Sequence, residues 1–145
     1  MALETKRDHD ATTILAATTT AADAIDTAGP AVRLPGMVNG MAFTLDVTAA
    51  ATDAADTLDV YVQTMLDGAN WVDVVHFTQV LGNGGALRYI SKIVAQIGQA
   101  EFEVGTALGA AGIRNLLGDE WRVRYVQADA DKDASFTFSV TACPM

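Results

Sequence analysis

From Met41 onward, apolar and polar residues alternate with a period of two, the signature of strands that bury one face. Met41, Phe43, Leu45 and Val47 fall on one side of a first strand, and Ala42, Thr44, Asp46 and Thr48 on the other. Leu58, Val60 and Val62 oppose Tyr61, Gln63 and Met65 in a second. Trp71, Asp73, Val75 and Phe77 oppose Val72, Val74 and His76 in a third. Near the C-terminus, Trp121, Val123 and Tyr125 alternate with Arg122, Arg124 and Val126, and Phe136, Phe138 and Val140 alternate with Ser135, Thr137, Ser139 and Thr141. Two less regular stretches, LRYISKIVAQIG (87–98) and EFEVG (101–105), are also predicted strands. GIRNLLGD (112–119) places Ile113, Leu116 and Leu117 at helical spacing, which predicts one or two helical turns.

The connections carry turn chemistry. Asp67-Gly68 between the second and third strands predicts a hairpin, with Gly68 at positive φ. LGNGGA (81–86) has the residues that tolerate the same backbone. At least seven short strands separated by such turns predict an all-β fold, an antiparallel β-sandwich of jelly-roll-like type. Residues 1–37 read differently. They are Ala/Thr-rich, with Pro30 and Pro35 near the end and few anchors: Ile14, Leu15, Ile25, Val32 and Leu34. This composition predicts an extended N-terminal arm over 1–37 that lies on the 38–145 sandwich or on a neighbouring subunit. Deleting 1–35 should then leave a folded sandwich.

At 145 residues the chain is one domain with room for a core. Its N-terminus has no apolar run of secretory type, and no stretch approaches the roughly 18 apolar residues of a membrane helix, so synthesis in a cytoplasm is expected. The lone Cys143 permits neither an internal disulfide nor a Cys-based zinc site. The net charge is −9, and residues 1–73 hold eleven of the eighteen acids but three of the nine bases. Such a surface repels phosphate backbones, which argues against nucleic acid as a partner.

The chain lacks a nucleophile elbow, a phosphate loop and a dinucleotide fingerprint, and His76 stands alone on its strand. No enzymatic activity and no cofactor are expected. TMLDGANWVDV (64–74) shares residue types with the Asp-box hairpin of sialidases, but its Asp and Gly are adjacent, so it reads as a turn with a core Trp beside it. Asp129, Asp131 and Asp133 mimic the start of an EF-hand calcium loop. Ala134 stands where that loop needs Gly and Val140 where it needs Glu, which leaves a solvated loop or a weak cation site.

TLDVYVQTMLDGANWVDVVHFTQV (57–80) and LLGDEWRVRYVQADADKDASFTFSVTA (116–142) together resemble small β-sandwich structural proteins of tailed bacteriophages. That resemblance implies a virion component, foremost a capsid decoration (cement) protein on the capsid surface. Its implied partner is the major capsid protein, and its expected state is a homo-oligomer, with a trimer favoured. Ile14, Leu15, Ile25, Val32 and Leu34 would then clamp neighbouring subunits. A tail or fibre adhesion module that binds carbohydrate is the alternative, and it needs exposed aromatics, with Tyr61 the best placed. Trp71, Trp121 and Tyr125 are expected in the core.

Overall fold

The computed structural model describes residues 11–34, 38–95 and 101–145. Ten strands follow one another: β1 Thr12–Thr19, β2 Ile25–Ala28, β3 Val32–Arg33, β4 Gly40–Ala49, β5 Thr57–Met65, β6 Trp71–His76, β7 Val80–Leu81, β8 Leu87–Val94, β9 Glu120–Ala128 and β10 Thr137–Pro144. They form two antiparallel sheets packed face to face. One has the order β1-β10-β4-β8; the other has the order β2-β9-β5-β6, with β3 also on β9 and β7 also on β5. No helix occurs among the described residues.

The core is built from the apolar phase of each strand, as period-two alternation requires. Met41, Phe43, Leu45 and Val47 of β4 are fully buried, as are Leu58, Val60 and Val62 of β5, Trp121 and Val123 of β9, and Phe138, Val140 and Ala142 of β10. Aromatic contacts join the sheets. The Phe43 ring lies 5.3 Å from that of Trp121, and Tyr125 meets Phe138 edge-on at 5.2 Å.

Of the segment expected as an arm over 1–37, the stretch 11–34 is described. It is extended, but within the sandwich: β1 closes one sheet against β10, while β2 and β3 lie along β9 of the other. Bulges in β1 make this possible. Thr13 faces Thr141 and Leu15 faces Val140, so Ile14 is an extra residue, and both Ile14 and Leu15 turn inward. Leu34 is also buried. Pro35 lies outside the described residues.

A bulge also explains the one misassigned tryptophan. Val62 faces Val75 and Gln63 faces Asp73, which leaves Val74 as the extra residue of β6. The alternation changes phase there. Val72, Val74, Val75 and Phe77 are buried, whereas Trp71 and Asp73 lie on the outer face. Trp71 is therefore not a core residue; Trp121 is, and Tyr125 packs against the core half-buried. Two predicted elements are absent. Residues 101–105 form no strand, and 112–119 form no helical turn. Ile113 instead bridges Val75 at the open side of β6, where Arg114 N–H donates to Val74 O at 2.8 Å. Backbone pairing to an unfilled strand edge outweighs a weak local helical preference.

The hairpin at 66–70 forms as its sequence predicts, with Gly68 at φ 77°. The Asp67 carboxylate organises it, accepting the N–H groups of Ala69 and Asn70 at 2.9 and 2.7 Å and the Asn70 amide at 2.6 Å. The Asn70 backbone N–H, then its side chain, then the Ala69 N–H hold the Asp67 carboxyl down at about 2. A folded-state value below the unfolded one, roughly 3.9, contributes stability above the unfolded value that disappears as pH falls through 2. A carboxyl-carbon NMR titration should place Asp67 near 2, and Asn70→Ala, which removes the side-chain bond and keeps both backbone bonds, should raise it part of the way to the ordinary carboxylate value. Titration of the parent near 4 would show that these bonds are not formed in solution.

Candidate functional site

Two connections pass between the sheets at the same end of the sandwich. One runs from β4 to β5 and the other from β9 to β10; at that end Ala49 pairs with Thr137, and Thr57 pairs with Ala128. Each brings acids. Carboxylate oxygens of Asp53, Asp56, Asp131 and Asp133 all lie within 4.8 Å of one another. The first loop is tightly held: Asp56 N–H donates to Asp53 O at 3.1 Å, Gly82 N–H to Asp56 O at 2.8 Å and Asn83 N–H to Ala51 O at 2.6 Å. Gly82 is required for this contact, since a Cβ there would sit 1.7 Å from Asp53 O.

The three acids of the DADKD stretch divide their work. Burial raises the carboxyl value of Asp129, but the N–H groups of Ala134, Asp133 and Lys132 outweigh it and the net shift is downward. These N–H groups reach it at 3.1, 3.3 and 2.8 Å, so Asp129 folds its own loop. Asp131 and Asp133 face the 53–56 loop instead. The predicted trio is thus split, and Asp53 and Asp56 are the partners that sequence reasoning missed. They stand more than seventy residues away, and nothing in local spacing marks them.

Asp56 is unusual within the group. It is 1 % exposed, and neither carboxylate oxygen meets an N–H or O–H donor. What faces it is other carboxyl groups, of which Asp133 could help only by carrying a proton. Burial, then the charges of Asp129, Asp131 and Asp53, push its carboxyl value up. Asp131 is raised to about 6, first by a proton shared with Asp133, then by burial and by the Asp133 charge.

The outer face of the six-stranded sheet is a second polar surface. Arg122 Nε donates to Gln63 Oε1 at 2.7 Å, and Gln63 Nε2 to Asp73 Oδ1 at 2.7 Å, a ladder across β9, β5 and β6. The Arg122 guanidinium covers the Trp71 ring at 4.5 Å. Tyr61 lies between Arg124 of β9 and His76 of β6, stacked on the latter at 4.0 Å. His76 reaches Asp59 through Nε2 at 2.8 Å and Leu108 O through Nδ1 at 2.7 Å, and Arg124 makes a two-pronged pair with Asp26 at 2.9 Å. A cleft of 110 Å³ opens among Gln63, Trp71, Asp73, Thr106, Arg114 and Arg124. Pockets for sugars or cofactors run to roughly 300 Å³ or more. Tyr61, the predicted exposed platform, is half-buried with neighbours along both sides of its ring.

Of the predicted clamp residues, Ile14, Leu15 and Leu34 are in the core, and Ile25 and Val32 are half-buried beside β9. As buried or partly buried strand residues they pack within the protein's own fold. Comparison with protein-family models and with curated proteins yields no match to this chain.

Proposed function

We propose that the chain is a structural protein of a tailed-bacteriophage particle, a decoration protein that binds the major capsid protein lattice as a homo-oligomer, with a trimer favoured. The observation that carries the reading is where the two resembling stretches sit. Residues 57–80 and 116–142 hold β5, β6 and β9 and most of β10, so the two stretches fall on neighbouring strands of one sheet and on a central strand of the other.

With residues 12–33 paired into the sheets, lattice contact is assigned to a surface. The outer face of the four-stranded sheet suits it. Thr13, Thr141, Thr44 and Ile90 stand in one row across β1, β10, β4 and β8. Three of the row are short threonines, and Ile90 is 75 % exposed at its edge. Beside the row, a shallow depression of 490 Å³ is lined by Asp46, Thr48, Leu87 and Arg88. A face with an exposed apolar side chain can add a small contact at each lattice position, and multivalency multiplies it.

The test is co-sedimentation with purified heads of the encoding phage, alongside sedimentation of the free protein. Saturable binding to heads is expected, and Ile90→Asp should weaken it at least tenfold while leaving the melting temperature within a few degrees, since an exposed side chain contributes little to folding. Absence of head binding, together with a positive glycan array, would replace this reading with the adhesion module.

A further inference from the structure

We propose that Asp53, Asp56, Asp131 and Asp133 form a calcium site that clamps the two sheets together at one end of the sandwich. Asp56 is the buried member of this cluster. A carboxylate that is 1 % exposed and has no donor on either oxygen is costly to keep ionised. Native proteins pair such a group or place a cation on it. Here Asp56 is surrounded by carboxylates, so its nearest neighbours aggravate its charge.

The arrangement suits one class of ligand. Calcium takes six to eight oxygens at roughly 2.3–2.6 Å, so oxygens on opposite sides of its shell stand about 4.8 Å apart. The four carboxylates have oxygens within 4.8 Å of one another, and they supply between four and eight donor atoms, with water able to complete the shell. The donor set is oxygen alone, with no imidazole or thiolate, which disfavours zinc and the softer transition metals. Magnesium demands a tighter octahedron and keeps most of its water. Asp53, Asp131 and Asp133 are exposed, which leaves the ion a way in. Asp129 serves the site indirectly, since its bonds to Lys132, Asp133 and Ala134 present Asp131 and Asp133 to the facing loop.

Binding would join two connections far apart in sequence, each passing from one sheet to the other, so it should stabilise the whole sandwich.

The experiment is thermal melting of the full chain after stripping with EGTA, with calcium chloride or magnesium chloride added back, and calorimetric titration with calcium. Calcium at a hundredfold excess over its dissociation constant should raise the melting temperature by roughly 5–10 °C, and magnesium should do so less at equal concentration. Asp56→Asn should abolish the calcium shift, yet melt no lower than the parent in EGTA, because it removes a charge from the cluster. Asp131→Asn, at an exposed position, repeats the test should the buried variant fail to fold. A parent chain without a calcium-dependent shift, a shift of parental size in both variants, or a stronger response to magnesium would each overturn the calcium assignment.

Discussion

A chain lacking residues 1–34 should fail to fold: far-ultraviolet circular dichroism should lose its β signal, and limited proteolysis should cut throughout the remainder. Three side chains carry much of the loss. Ile14 is 1 %, Leu15 7 % and Leu34 5 % exposed, and emptying a buried aliphatic position costs about 2–5 kcal/mol. Together they approach the about 5–15 kcal/mol that holds a whole domain folded. Hydrogen bonds add to the loss. Gln127 is buried, and its amide donates to Ala21 O at 2.8 Å and Asp23 O at 2.7 Å, while the Thr20 hydroxyl bonds its Oε1. Without the segment that amide has none of these partners, at a cost of about 1–3 kcal/mol. The edge of β10 would also lie open to pairing with other chains. A truncated protein that melted within a few degrees of the parent would restore the view of 1–37 as an appended arm.

Trp121→Ala should be the most damaging single substitution, lowering stability by about 3–5 kcal/mol in urea melts. Trp121 heads the fully buried side chains by volume, and it bridges the sheets through Phe43. The same site predicts a contrast. The indole Nε1 is buried without a hydrogen-bond partner, so Trp121→Phe loses packing but also relieves an unsatisfied donor. Its cost should be well under half that of the alanine variant. Equal losses in the two variants would mean that the indole N–H does have a partner in solution.

Much of the fold was legible because burial and strand periodicity are local. Once β4, β9 and β10 are extended, the identity of every second residue decides which face turns inward, and Met41, Phe43, Trp121 and Phe138 leave little choice. Asp67-Gly68 was legible for a similar reason, since the turn's bonds lie within four residues. Bulges were not legible. The extra residue at Val74 moves Trp71 to the outer face, and that at Ile14 lets two consecutive residues face inward, yet each is defined by the register of a partner strand. The helical turns predicted at 112–119 failed because that segment found backbone partners on β6 that no nearby residue announces.

The candidate site divides along the same line. By itself the sequence determined an all-β chain with an acidic balance, the hairpin at 66–70 and a concentration of acids at 129–133, for these follow from residue type and from contacts a few positions apart. Only the tertiary structure decided that the N-terminal segment completes both sheets, that Asp129 serves its own loop, and that Asp131 and Asp133 meet Asp53 and a buried Asp56. The physical reason is topological. Two inter-sheet connections separated by more than seventy residues converge where β4 meets β10 and β5 meets β9, and the electrostatic cost of that meeting exists only once both sheets are in place.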